Sequence, residues 1–135
     1  MERSETTQAG PTVLVVEDDP LIASFVTRAL VASGFAVEWV ATAGAGLQRL
    51  AAGDVAVAVL DLNLPDMDGL DLLRALRADH PFGRDLPVVI ITARNDPADR
   101  DQARSLGVRT YLRKPFALGE LLAAVRVAAG AETGS

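Results

Sequence analysis

Val57-Ala58-Val59-Leu60-Asp61-Leu62-Asn63-Leu64-Pro65-Asp66-Met67-Asp68-Gly69 is the stretch on which the fold turns. It opens as an unbroken apolar run, the pattern of a strand buried on both faces of a parallel sheet. The run closes on a carboxylate, Asp61, and turn-forming residues follow: Asn63, Pro65, Asp66, Asp68 and Gly69. Asp61 is therefore expected at the carboxyl end of a central strand, where open α/β sheets place ligands and chemistry. A lone Asp there would do no more than end a strand. Its meaning depends on what the other strand ends carry.

Upstream, Thr12 to Val16 is a second apolar, β-branched run, and it ends in Glu17-Asp18-Asp19-Pro20. Pro20 suits the first turn of a helix and Asp19 its N-cap. Ile22, Phe25, Val26, Ala29, Leu30 and Ser33 then recur at helical spacing, with Gly34 as the stop. Phe35 to Val40 predicts a strand that Glu38 marks as less buried, with Trp39 packing on it. Thr42 can cap a second helix whose inner face is Ala43, Leu47, Leu50 and Ala51. Gly44 and Gly46 weaken that helix by ~1 kcal/mol each relative to Ala, and Gly53 ends it. Gly44-Ala45-Gly46 follows the wrong strand for a dinucleotide-binding loop and lacks its full spacing.

Downstream of Gly69 a third helix is expected, with Leu72, Leu73 and Leu76 inward and Arg74, Arg77 and Asp79 outward. His80-Pro81-Phe82-Gly83 reads as a loop, with His80 in solvent. Pro87 to Thr92 is again apolar and predicts a strand. Asp96-Pro97 and Asp99 read as N-cap, first helical position and first-turn acid. The helix they open has only Ala103 and Leu106 clearly apolar and is the least anchored; Gly107 ends it. Val108 to Leu112 predicts a short fifth strand and Lys114-Pro115 a turn. Leu118, Leu121, Leu122, Val125 and Ala128 form the inner stripe of a last helix. Residues 1–11 read as a flexible tail, 12–130 as one domain, and 131–135 as a polar tail or the start of a linker.

The totals agree. A chain of 135 residues has room for one domain with a real core. Aromatics are only 4%, so the core must be built from Val, Leu, Ile and Ala, as strands alternating with helices allow. A net charge of −5 with scattered basic residues gives no footprint for nucleic acid. The absence of cysteine excludes disulfides, thiol catalysis and thiolate metal sites. No apolar run approaches the ~18 residues a membrane span needs, and no signal peptide opens the chain. A soluble, cytoplasmic protein with no membrane partner is expected.

Five strands alternating with five helices make a (βα)5 domain. Right-handed crossovers give a doubly wound parallel sheet, expected order 2-1-3-4-5, with its site at the switch point between strands 1 and 3. The carboxyl ends of strands 1, 3, 4 and 5 then share one rim, carrying Glu17-Asp18-Asp19, Asp61, Thr92 and Lys114. Clustered acids repel and raise one another's pKa unless a cation sits among them. Mg2+ takes oxygen ligands, commonly one or two carboxylates plus a phosphate. Lys114 supplies a point charge for a phosphoryl oxygen, and Thr92 a hydroxyl donor. Aspartate is itself a known nucleophile toward phosphoryl groups.

Val15-Val16-Glu17-Asp18-Asp19-Pro20, Leu60 to Gly69, Ile91-Thr92-Ala93 and Tyr111-Leu112-Arg113-Lys114-Pro115-Phe116 together resemble the receiver domain of two-component response regulators. The resemblance spans Thr12 to about Ala129, and four motifs in order, each at a strand end, make it specific. It implies a flavodoxin-like fold. It also implies that Asp61 accepts a phosphoryl group from the phosphohistidine of a sensor histidine kinase or histidine phosphotransfer protein. Glu17, Asp18, Asp61 and the Asn63 carbonyl would hold Mg2+, while Thr92 and Lys114 bind the phosphoryl oxygens. Tyr111 would rotate inward when Thr92 moves, and the Lys114-Pro115 bond would be cis. Ala93 would leave access open, and Asn63 and Arg94 would tune hydrolysis. The chain would be a phosphoacceptor, not a turnover enzyme.

Phe116 and the Leu-rich last helix are most similar to the winged-helix transcription-factor branch. That branch pairs through helix 4, strand 5 and helix 5; here Arg109-Thr110 replaces the usual acids and Ala124 the usual base, while Glu120 remains. A monomer or weak dimer is expected, with an unknown output partner. Two rivals stand beside this reading: a hydrolase with an Asp nucleophile in the haloacid-dehalogenase style, and a receiver-shaped interaction module without phosphorylation. The first usually needs a second acid where Asn63 stands.

Overall fold

The computed structural model describes residues 10–79 and 83–130. Most of the expected N-terminal tail, the 131–135 tail and His80 to Phe82 lie outside these, as does the Asp79 side chain. Pro11 is described, and its carbonyl accepts the Ala36 N–H at 2.9 Å.

Strands β1 (Thr12–Val16), β2 (Ala36–Val40), β3 (Val57–Asp61), β4 (Val88–Thr92) and β5 (Thr110–Arg113) form one parallel sheet in the order β2-β1-β3-β4-β5. β3 and β4 are buried at every position, whereas the edge strands β2 and β5 are partly exposed. Alternation along the strands divides the core in two. Leu14, Leu60 and Ile90 face α2 (Ala43–Leu50), α3 (Gly69–Asp79) and α4 (Pro97–Ser105). Val13, Val15, Val59 and Ile91 face α1 (Pro20–Ala32) and α5 (Leu118–Ala128). The doubly wound architecture and strand order are those expected.

Local departures have physical causes. α1 buries Val26 and Leu30 as expected, but Ala23 is the third buried residue and Phe25 is 54% exposed. In α2 Ala51 is exposed and Gly46 is buried instead. A Cβ at Gly46 would come within 3.2 Å of the Val16 side chain, so this glycine lets helix and strand approach. Phe35 N–H bonds Leu30 O and Val108 N–H bonds Ala103 O, so both belong to helix exits rather than to β2 and β5. Arg77 is not turned out to solvent: it donates to the carbonyls of Gly83, Leu86 and Leu106 at 2.7–2.8 Å.

Candidate functional site

At the carboxyl rim β1 leaves the sheet through Glu17, which is fully buried. Its Oε1 accepts from Lys114 Nζ at 2.8 Å and its Oε2 from the Asp19 N–H at 3.0 Å. Asp18 is exposed, and its carboxylate makes no hydrogen bond among the described residues. Asp19 caps α1, its Oδ1 accepting from the Leu21 and Ile22 N–H groups. Capping accounts for Asp19, and Glu17 and Asp18 are the acids left for the pocket.

Asp61 ends β3 and is buried. Its Oδ1 accepts the Asn63 N–H at 3.2 Å and its Oδ2 accepts Lys114 Nζ at 3.2 Å. Lys114 therefore bridges Glu17 and Asp61. Gly69 makes the tight return possible: a Cβ there would lie 2.7 Å from Asp61 O. Glu17, Asp18 and Asp61 each offer a carboxylate oxygen within 4.8 Å of the others. Burial pushes the Glu17 carboxyl above its ordinary value, only partly offset by the Lys114 and Asp19 hydrogen bonds. Burial alone would lower the Lys114 ammonium; the hydrogen bond to Glu17 and the charge of Asp61 overcome it and hold the group above its ordinary value. An ammonium kept charged against buried acids is a fixed positive charge beside the Asp61 oxygens.

Thr92 ends β4, fully buried, and its Oγ1 accepts the Arg94 N–H at 3.1 Å. Its carbonyl accepts the Lys114 N–H at 2.7 Å, tying the two strand ends together. The Lys114-Pro115 bond is cis, as the resemblance implied. Ala93 is exposed. Tyr111 packs against the α2–α4 core, with the Arg100 guanidinium 4.8 Å from its ring centre. Its hydroxyl is buried without a hydrogen-bond partner among the described residues.

Three features were not anticipated. Arg94 reaches from the β4–α4 loop to the β3–α3 loop, donating to Asn63 Oδ1 at 2.8 Å, to Leu62 O at 3.3 Å and to the Asp68 carboxylate. Asp66 accepts from the Ala43 and Gly44 N–H groups at 2.8 and 2.9 Å, binding the Asp61 loop to the start of α2. Trp39, expected to pack on its strand, is 45% exposed and donates its indole N–H to Glu17 O at 2.6 Å. Only the second left a trace in the sequence: Thr42 can satisfy one N–H of α2, and the others need an acceptor from elsewhere.

Fold and rim together define a doubly wound α/β domain with a lysine-bridged acid pocket at its switch point. Residues 13–126 match the family described as response regulator receiver domain, and the chain belongs to that family. It is 40% identical over 111 residues to the transcriptional regulatory protein QseB of Haemophilus influenzae, covering 82% of this chain and 49% of that protein. With the transcriptional regulatory protein TctD of Salmonella typhimurium the figures are 42% over 114 residues, covering 84% and 50%. The chain thus spans about half the length of the curated relatives it matches. A crystal structure of a sensor protein from Polaromonas sp. JS666 superimposes with a TM-score of 0.81 at 35% identity, covering 90% of this chain and 97% of that one. The receiver domain of Francisella response regulator 1452 gives 0.82 at 28% identity, covering 90% and 98%. Among the described residues no helix is long and apolar enough to cross a membrane.

Proposed function

We propose that the domain is a phosphorylation-controlled switch whose acceptor is Asp61. The observation that carries this is Lys114 bridging Glu17 and Asp61 beside an Asp18 carboxylate that makes no hydrogen bond among the described residues. An Asp61 oxygen attacks phosphorus and forms an acyl phosphate. The P–N bond of a donor phosphohistidine breaks, its electron pair returns to the imidazole, and the freed histidine takes up a proton from water. Lys114 Nζ, already on Asp61 Oδ2, is placed to follow the new phosphoryl oxygens. Thr92 Oγ, at the next strand end, is free to donate because in the structure it only accepts.

The donor set suits Mg2+: all oxygen and three carboxylates, of which Asp18 makes no hydrogen bond among the described residues. Glu17, Asp18, Asp61 and the Asn63 carbonyl are the residues that would hold it. Bound there, the ion would offset the charge that gathers as phosphoryl and carboxylate oxygens approach. Membership of the family supplies the partners: a cytoplasmic histidine kinase or phosphotransfer protein as donor, and an output partner or domain reading the α4–β5–α5 face. The domain itself is a phosphoacceptor that catalyses its own phosphotransfer and dephosphorylation, as a monomer or weak dimer.

Incubation with acetyl phosphate and Mg2+, followed by intact-mass analysis, tests this. Wild type should gain the mass of one phosphoryl group, and Asp61→Asn, which keeps size but loses the nucleophilic oxygen, should gain none. Equal modification of Asp61→Asn would remove Asp61 as acceptor. Steady phosphate release without an adduct would favour the hydrolase, and neither outcome the phosphorylation-free module.

A further inference from the structure

Where β1 ends, one peptide is held through a side chain. The Glu17 N–H donates to Val40 O at 3.1 Å, the last rung toward β2. β2 stops at Val40, and Thr42 already caps α2, so the ladder has no further rung for the Glu17 carbonyl. The Trp39 indole supplies the donor instead, at 2.6 Å. That carbonyl belongs to the Glu17-Asp18 peptide. Because a peptide is planar, fixing its oxygen fixes the plane from which Asp18 departs. No side-chain hydrogen bond among the described residues orients Asp18, so its direction is inherited from the backbone. Trp39 also leaves nearly half its surface in water on an edge strand, while its single polar atom is engaged at the acid turn.

We infer that Trp39 is a positioning residue for the acid turn: its indole N–H sets the direction of Asp18, and with it the affinity of the Glu17, Asp18 and Asp61 oxygens for a divalent cation. The inference rests on the cation reading of that group given above. Coupling of this kind is reciprocal. A cation that draws on Asp18 also acts on the Glu17-Asp18 peptide and on the indole bonded to it. Trp39 is the only tryptophan in the chain, so its emission reports the pocket directly.

The test is a Mg2+ titration by calorimetry of wild type and Trp39→Phe, which keeps an aromatic ring and loses the donor, with fluorescence of the wild type in parallel. Loss of one hydrogen bond should raise the Mg2+ Kd about three- to tenfold, with a melting temperature close to that of wild type. Wild-type emission should change saturably at the calorimetric midpoint, and Asp18→Ala should abolish the change. An unchanged Kd in Trp39→Phe, or flat emission while calorimetry saturates, overturns the role of Trp39 and leaves the cation reading standing. A wild type that takes up no Mg2+ overturns both. If Trp39→Phe does not fold, the wild-type emission decides.

Discussion

β3 and β4 are near twins: adjacent, parallel, five residues each and buried throughout. The helices that follow them are not. α3 brings Leu70, Leu72, Leu73 and Leu76 into the core. α4 brings Ala103 and a half-buried Leu106. What α4 lacks in apolar area it replaces with polar ties from neighbouring segments: Arg77 to Leu106 O at 2.8 Å, Arg74 to the Gln102 side chain, and Arg94 to Asp99 at 3.6 Å. Water can substitute for a broken hydrogen bond but not for lost apolar contact. The side that carries Asp61 is thus held rigidly, and the side that follows Thr92 is held by links that exchange at low cost.

Truncation should show the contrast most strongly. Leu73→Ala, in α3, should cost about 2–5 kcal/mol in urea unfolding. Ala103→Gly, in α4, should cost about 1–2 kcal/mol from propensity and one buried methyl. Similar costs at the two sites would mean that α4 is anchored as firmly as α3.

The rigid side is also the more legible one in sequence. Strand ends announce themselves where an apolar run meets a polar residue, so the sequence alone places Glu17, Asp61 and Thr92 at one rim. The lysine bridge does not follow from strand order, because β4 lies between β5 and β3 and the Lys114 side chain must reach across it to Asp61 and Glu17. The softer elements depend on choices that periodicity cannot make. In α1 both Phe25 and Ala23 flank the Val26-Leu30 line on the helix surface, and only packing selects Ala23. Arg77 sits at an outward-looking position, yet its long side chain curls back to the carbonyls of Gly83, Leu86 and Leu106, in two separate segments. The Arg94 and Trp39 contacts are likewise through-space: Leu62, Asn63 and Asp68 lie 26–32 residues from Arg94, and Glu17 lies 22 from Trp39.

Arg77 offers the sharpest probe of the polar ties. Arg77→Met keeps the aliphatic stem and removes the donors from three carbonyls, which should cost about 1–3 kcal/mol. Amide exchange should accelerate first at Leu106 to Val108, where α4 ends. Exposed Arg74→Met should cost no more than about 0.5 kcal/mol. Uniform acceleration across the domain in Arg77→Met would show that Arg77 supports the whole core and not the end of α4.

A phosphoryl mimic on Asp61 should act along the same division. Beryllofluoride gives the Thr92 hydroxyl, which accepts the Arg94 N–H, an acceptor for its own proton and draws it toward Asp61. The loop into α4 should then shift, and Tyr111, whose hydroxyl has no partner among the described residues, should follow. Exchange should change mainly across residues 94–112, by opening free energies of about 1 kcal/mol, with α2 little affected. Equal change in α2 would erase the distinction between the two sides.

The smallest effect concerns the clasp that joins them. Asp68 caps α3, its Oδ1 accepting the Leu70 N–H at 2.8 Å, and also pairs with Arg94 from the softer side. Burial works to raise the Asp68 carboxyl, but the Arg94 hydrogen bond and the Leu70 N–H outweigh it and hold the group below its ordinary 3.8. A carboxyl whose folded pKa is depressed contributes stability that is fully present above its unfolded pKa and lost as pH falls through the folded one. Asp68→Asn keeps the cap, because Asn accepts the same N–H, and loses the charge. Wild type should therefore be the more stable at neutral pH, by about 0.5 kcal/mol, since the Asp68 side chain is 38% exposed and water screens the pair. The difference should hold steady down to about pH 5 and fade below about pH 4. Urea melts of the two proteins across that range decide it. Equal stability of the two proteins at neutral pH would mean that the cap alone, which Asn keeps, and not the ion pair with Arg94, is what Asp68 contributes, and a difference that persists undiminished at low pH would show that it does not arise from the charge.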